Sequence, residues 1–543
     1  MIQTFTARSG ARSLKVDGAA LHSPYDPVRE AERFVETALA GEIPSTVIVL
    51  GEGLGYITEA LSRISPAAKL VRVHYSSEIH NAAGQGATGS WHPNAGRELA
   101  DFLRANLSEL EVEGMKILEW PPSARIFPEI SRRANESLRQ VVQELNGSFV
   151  TTAAVGRLWI RNSIANFLFI HPFLSGRPCR EDRLVVIAAS GPSLERAAPL
   201  LARNRGAFDL WTLPSSALVL RDAGLEPDLV VMTDPGYYSI THLQFAGVRC
   251  PIAMPLSAAR GCWELRRAAA PLLPSGVFPL SQGVFFEQEL LDCAGIRAPL
   301  IAPHGTVAAT ALELALASTH APVILAGLDF CMQDLISHAR PNAFDRTVLR
   351  EASRTAPHTS VSFRRAEGQH AERLSATGAA RASPALRTYA GWFAGLPVES
   401  APRLFRLFPS EVPIPGMHPL DVGSFEALCR SALAGNDRTR FPPDCSVPSV
   451  ERRVDIVRRM IEGWARVVEE GRAAPGSPPG LAAFARSPVL VSLAYFIEPR
   501  RLLDAKRKGR LGDEEGARVA AAGVLEGCAD FLHSLAGKVR GAA

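Results

Sequence analysis

The sequence predicts an α/β protein built on a Rossmann-like, mostly parallel sheet, and two observations carry that expectation. Continuous apolar runs of strand length, Leu184–Ala189 and Val323–Ala326 among them, recur through the middle of the chain. Strands covered on both faces read this way. Helical stretches alternate with these runs, and several runs end in a glycine turn that opens a helix, as in a doubly wound sheet.

Taken in order, residues 1–144 form a smaller α/β domain. Thr46–Leu50 reads as a buried strand, Gly51-Glu52-Gly53-Leu54-Gly55 as a turn, the stretch through Ala60 and Leu61 as a helix, and Lys69–His74 as a second strand. The central domain, residues 145–420, adds strands at Leu184–Ala189, Leu210–Leu213, Leu229–Thr233 and Val323–Ala326 with helices between them. From about Arg340 to Ser383 the chain turns polar, and this stretch is expected to be a long mobile insertion, a candidate lid. Residues 421–543 read as a helical domain. Val457, Met460, Ile461, Trp464 and Val468 share one helical face, Pro475–Gly480 breaks the run, and further helices are expected at Leu481–Ile497 and Glu514–Leu535.

The totals narrow the function. The 543 residues carry 47% apolar and 21% charged side chains, a composition ordinary for water-soluble protein. A net charge of +4 supplies no basic stripe for a nucleic-acid partner. The opening MIQTFTARSGARSLKVDG has no signal-peptide core, and the apolar runs are too short for membrane insertion. Eight scattered cysteines without a CxxC pair point to free thiols in a reducing, cytoplasmic setting and to no metal site.

Four groups could do chemistry. Gly191-Pro192-Ser193-Leu194 lies between a buried strand and a helix, where glycine admits a ligand and free helix N–H groups suit a phosphate. The same tetrapeptide also suits a plain strand-to-helix turn. Pro303-His304-Gly305-Thr306-Val307 opens a second helix rich in small residues and could hold the other half of one ligand, or be a neutral helix entry. Asp234 and Asp329 each follow a strand, where a carboxylate could hold a ribose hydroxyl, a metal or an acceptor, or merely cap a loop. His338 stands at the edge of the polar insertion and could take a proton from a hydroxyl. The Gly51–Gly55 turn has Tyr56 where the dinucleotide fingerprint wants Gly or Ala, and no acid ends the following strand, so a structural role is expected there.

In order along the chain, several motifs resemble the motility-associated factor (Maf) family of flagellin glycosyltransferases. They are Ser23-Pro24-Tyr25-Asp26-Pro27 with Glu30-Ala31-Glu32, the Gly51–Tyr56 turn, Trp159 with Asn162 and Asn166, and Gly191-Pro192-Ser193-Leu194. Gly224-Leu225-Glu226-Pro227-Asp228, Thr233-Asp234-Pro235, Gly305-Thr306-Val307, Gly327-Leu328-Asp329-Phe330 and His338 complete the series. The centre also resembles a domain family named for 6-hydroxymethylpterin pyrophosphokinase and, more faintly, the CMP-sialic acid sialyltransferases. Those sialyltransferases carry an asparagine where this chain has Ser190.

The resemblance implies a cytoplasmic enzyme moving a nonulosonic acid from a CMP-sugar donor to flagellin Ser or Thr hydroxyls. Gly191, Pro192, Ser193, Gly305 and Thr306 would hold CMP, and Ser215 and Ser216 would contact the donor. His338 would be the base, with Asp329 or Asp234 orienting groups beside it. No cofactor beyond the donor is required, although magnesium could take part. Two other readings stay open, an ATP-dependent pyrophosphokinase acting on a pterin-like alcohol and a non-catalytic flagellin-binding protein.

Overall fold

The computed structural model describes residues 2–540 apart from 85–88, 262–274, 334–335, 369–370, 375–379, 433–440, 445 and 474–483. The chain divides into two compact units, Met1–Gly156 with Glu462–Ser534, and Arg157–Ile461 with Leu535–Ala543.

The first unit opens with an antiparallel ribbon of β1 (Ile2–Thr6), β2 (Arg12–Val16) and β3 (Ala19–Ala20). Helix α1 (Pro27–Leu39) follows, capped by the Asp26 carboxylate, which accepts the Arg29 N–H at 3.1 Å. Then come β4 (Thr46–Leu50), α2 (Tyr56–Ile64), β5 (Lys69–Val73), α3 (Ser77–Ala82), β6 (Ser90–Trp91), α4 (Leu99–Asn106), β7 (Met115–Glu119), α5 (Pro121–Ile126) and the long α6 (Pro128–Phe169). The strands pair in parallel in the order β6-β5-β4-β7. The glycine turn after β4 is filled from within: the buried His22 ring sits where a Gly53 side chain would stand, and its Nε2 accepts the Leu54 N–H at 3.0 Å.

The second unit carries eight parallel strands in the order β12-β11-β10-β9-β8-β13-β17-β18. In chain order these and their neighbours are β8 (Val185–Ala188), α7 (Leu194–Arg203), β9 (Asp209–Thr212), α8 (Ala217–Asp222), β10 (Leu229–Val231), α9 (Tyr237–Ala246), β11 (Ile252–Pro255), β12 (Val277–Leu280), α10 (Phe285–Ala294), α11 (Val307–Ser318) and β13 (Val323–Ala326). After them come β14 (Met332–Gln333), α12 (Ala343–Glu351), α13 (His358–Gly368), β15 (Glu372–Arg373), β16 (Ala380–Ala382), α14 (Pro384–Ala394), β17 (Leu404–Leu407), β18 (His418–Leu420) and α15 (Val422–Ser431). Strand alternation divides the core into two layers. Val185, Ile187 and Ala189 pack toward α11 and Phe393, whereas Val186 and Ala188 pack toward α7, Val219 and Phe425.

Two expectations need correcting here. The Arg340–Ser383 stretch is not a bare loop, since it contains α12, α13 and the strands β15 and β16, which complete a small antiparallel sheet with β14 just before it, ordered β14-β16-β15. Residues 421–543 do not pack as one helical domain. Helices α16 (Val450–Ala473), α17 (Pro488–Ile497), α18 (Pro499–Arg510) and α19 (Glu514–Arg540) are all present, but Glu462–Ser534 packs with the N-terminal block. The breaker at Pro475–Gly480 and the start of the Leu481–Ile497 stretch lie outside the described residues.

The apolar face expected on α16 is buried, with Val457, Met460, Ile461, Trp464 and Val468 at most 5% exposed. By length and composition α19 alone among the described helices could cross a membrane. Its Ala517, Ala521, Val524, Leu525, Cys528, Phe531 and Leu532 are instead buried within the protein.

Candidate functional site at the sheet switch point

Strands β8 to β12 progress toward one edge of the central sheet, and β13, β17 and β18 lie on the other side of β8. The direction of winding therefore reverses between β8 and β13, and the crevice outside their carboxyl ends is where such sheets take ligands. The Gly191-Pro192-Ser193 turn leaves β8 there, and Gly327-Leu328-Asp329 leaves β13. The two turns are joined. The Gly191 N–H donates to the Gly327 carbonyl at 2.7 Å. Asp329 Oδ2 accepts the Ser193 N–H at 2.7 Å, and Oδ1 accepts the Ser193 hydroxyl at 2.6 Å.

Glycine is required on both sides of this junction. A Cβ on Gly191 would stand 2.5 Å from Asp329 Oδ2, and one on Gly327 would stand 2.5 Å from the Ala189 carbonyl oxygen. Gly327 also has φ +74°, a backbone region that disfavours side chains. Burial pushes the Asp329 carboxyl above its ordinary range, while the two Ser193 bonds and the Arg406 guanidinium pull it back. Arg406 is buried in β17 and braces the loop from behind, donating to the Leu328 carbonyl at 2.7 Å and to Ser410 Oγ at 2.7 Å. Ser410 Oγ in turn donates to the Asp329 carbonyl at 2.6 Å.

Asp329 thus closes the start of α7 with an internal carboxylate. The Ser193 donors expected to meet a phosphate are engaged by it, and the Leu194 and Glu195 N–H groups turn back to Gly191 and Pro192. Ser216 is likewise committed: fully buried, its hydroxyl donates to the Ala188 carbonyl at 2.6 Å and ties the β9 turn to β8. Ser215 beside it is half-buried.

The start of α11 differs. Thr306 is its N-cap, in extended backbone, and no side chain caps the helix. Because α11 leads directly into β13, its first turn lies at the carboxyl edge of the sheet, and the helix packs on β8 and β10. Gly305 is exposed with φ +72°. His304 pairs with Glu313, and its ring lies 4.4 Å from that of Trp392. An open helix start of this kind attracts anions.

His338 reaches the same edge. The next residue, Ala339, donates its N–H to the Ser190 carbonyl at 2.8 Å, and the Arg340 N–H donates to Glu195 Oε1 at 2.8 Å. His338 Nδ1 lies 3.0 Å from Ser337 Oγ. Burial lowers its pKa, and nearby Asp345 opposes that shift. The Phe344 ring lies 6.0 Å from His338 and 4.6 Å from His242 of α9.

Asp234 sits two strands away at the end of β10. It is exposed, and its Oδ1 accepts the Gly236 N–H at 2.7 Å. The structure therefore brings Gly191–Ser193, Asp329 and His338 together at the switch point and leaves Asp234 two strands away, at the end of β10. Among the described residues no group of three or more His, Cys, Asp or Glu side chains is placed to hold a metal ion. Cys179, Cys250, Cys293, Cys331 and Cys429 are free thiols.

Sequence reading missed Arg406, although an arginine inside the apolar run Leu404-Phe405-Arg406-Leu407 signals a buried guanidinium. It also gave Asn162 and Asn166 no physical task. Both are buried on α6, and their amide N–H groups donate to the carbonyls of Pro235, Ser257, Leu256 and Ala258 at 2.8–3.1 Å.

Fold and crevice define the class, an α/β protein with a doubly wound parallel sheet. Comparison with known proteins meets both resemblances drawn from the sequence. Residues 162–335 match the family described as 6-hydroxymethylpterin diphosphokinase MptE-like. The solved structure of the MAf glycosyltransferase from Magnetospirillum magneticum AMB-1 shares the fold, with a TM-score of 0.54 at 13% identity over 99% of this chain and 91% of that one. Two uncharacterized proteins of Treponema pallidum are also similar. One is 23% identical over 385 residues, covering 70% of this chain and 78% of its own length. The other is 26% identical over 126 residues, covering 23% and 60% respectively.

Proposed function

We propose that this protein is a glycosyltransferase that moves a nonulosonic acid from a CMP-sugar to Ser or Thr hydroxyls of flagellin. The observation that carries the reading is the switch-point crevice, where a histidine stands beside the joined Gly191–Ser193 and Gly327–Asp329 turns. The open start of α11 lies on the same edge of the sheet. The fold shared with a MAf glycosyltransferase supports the transfer chemistry.

In this reading the first turn of α11, at Gly305 and Thr306, faces the donor phosphate and stabilises the charge that develops as CMP departs. His338 takes the proton of the acceptor hydroxyl. The acceptor oxygen bonds to the anomeric carbon as the bond from that carbon to the phosphate oxygen breaks. Asp329 acts through Ser193, as a positioning group for the crevice floor.

The name of the matching domain family favours a second reading, pyrophosphoryl transfer from ATP to a pterin-like alcohol. That chemistry wants carboxylates for magnesium. Asp329 has both oxygens on Ser193, which leaves Asp234 as the exposed carboxylate.

Calorimetry with CMP, CDP, ATP, ADP and GDP, with and without magnesium, separates the readings. The glycosyltransferase binds CMP or CDP. It loses at least about tenfold in affinity in Thr306→Asp, where a carboxylate caps α11 and repels phosphate without harming the fold. Preference for ATP with magnesium favours the kinase, and no nucleotide binding favours a non-catalytic flagellin-binding protein.

A further inference from the structure

Two adjacent tyrosines at the start of α9 stand in water, Tyr237 at 70% exposure and Tyr238 at 64%. They follow Asp234 closely, at the carboxyl end of β10, and α11 packs against that same strand. Tyr238 is nevertheless braced. Its ring lies 5.4 Å from Phe344, which also has His242 and His338 beside it.

The loop beneath is fixed from behind. The Asp234 carbonyl accepts the Ala259 N–H at 2.9 Å, the Pro235 carbonyl accepts from Asn162 at 3.1 Å, and buried Glu287 takes the Ser257 N–H at 2.6 Å. An aromatic face and a carboxylate oxygen are thus held ready while still exposed to solvent. Preorganised groups of this kind bind without a large ordering cost.

We propose that Tyr238 and Asp234 hold the nucleoside half of the donor, Tyr238 stacking on the base and Asp234 Oδ2 accepting from the ribose hydroxyls. The assignment rests on the nucleotide-sugar reading of the crevice. A base offers a planar π-face to an aromatic ring, and a strand-end carboxylate suits a ribose diol. The start of α11 then takes the phosphate, with both contacts served by groups around β10. Asp234 binds substrate in this arrangement and leaves proton transfer to His338.

The test is calorimetry on the full chain with CMP, 2′-deoxy-CMP and ribose 5-phosphate. Stacking requires Tyr238→Ala to weaken CMP binding by about tenfold or more, to leave ribose 5-phosphate unchanged, and Tyr238→Phe to behave as wild type. The ribose contact requires wild type to bind 2′-deoxy-CMP several-fold more weakly than CMP, a difference that Asp234→Ala removes. CMP binding unaffected by Tyr238→Ala overturns this assignment and leaves the crevice reading intact, with the tyrosines then facing an acceptor polypeptide. Failure of wild type to bind any of the three overturns the crevice reading and this assignment together.

Discussion

Asp329 accepts two hydrogen bonds from one residue, the Ser193 N–H and its hydroxyl. That pairing fixes what substitutions at the switch point should do. Asp329→Asn presents an amide to two donors, and only its carbonyl oxygen can accept, so a buried donor is left unsatisfied. A loss of about 2–3 kcal/mol follows, read by urea denaturation, and an unchanged midpoint would show that the pair contributes nothing. Ser193→Ala removes the hydroxyl donor from a buried carboxylate oxygen and keeps the backbone bond, so its cost should be about 1.5–3 kcal/mol. His338 makes a different prediction. Burial lowers its pKa from the ordinary 6.5, so the neutral form that can accept a proton persists further into acid. The acid limb of the transfer profile should therefore have its midpoint below the ordinary 6.5 of a histidine. A kcat/KM profile declining already above pH 7 would remove His338 as the base, as would full activity in His338→Ala.

At the scale of elements, the filled glycine turn of the first unit makes the protein sensitive to acid. His22 is buried with its ring against Gly53, and burial lowers its pKa to about 4. The unfolded chain protonates this histidine near 6.5. Its contribution to stability is therefore complete above about 6.5 and is lost as the pH falls toward about 4, amounting to about 2 kcal/mol by pH 5. Glu30 and Glu52, both raised by burial, act in the opposite sense, so a comparison with His22→Gln isolates the histidine. The variant should show a shallower loss of melting temperature between pH 7 and 5, and parallel slopes would refute the assignment. The same turn marks what the sequence made legible. Tyr56 and the missing acid after β5 argued for structure over ligand, but nothing local announced that His22, 31 residues before Gly53, would be the filler. The strands of the central sheet divide in the same way. The apolar runs of β8, β9, β10 and β13 were readable, whereas β11, β12, β17 and β18 carry Pro255, Pro279, Arg406 and Pro419 and lack that signature. Pro279 and Pro419 are tolerated because β12 and β18 are the edges of the sheet. The site followed suit. Gly191 and Asp329 were singled out from strand ends and His338 from the edge of the polar insertion, but the bond from Asp329 to Ser193 spans 136 residues and has no local trace.

At the scale of the molecule, the helices after α16 have a partner that periodicity did not reveal. A helical face shows that a segment is buried, not against what. Glu462–Ser534 packs with Met1–Gly156, and the fit is close. Side chains at Gly114 and Gly156 would overlap Arg510 and the Phe496 carbonyl. The Phe149 and Tyr495 rings lie 6.4 Å apart, and Arg507 pairs with Glu113 at 3.7 Å. A chain ending at residue 461 therefore strips the N-terminal block of its packing partner and exposes apolar surface in water. Such a truncation should lose cooperative unfolding of the first unit and become sensitive to protease within residues 1–156. Adding residues 462–534 as a separate polypeptide should restore protection. If the truncated chain instead keeps an N-terminal melting transition within a few degrees of the full protein, the helices contribute little to that unit. The boundary at 420/421 drawn from the sequence would then describe the protein better than the packing does.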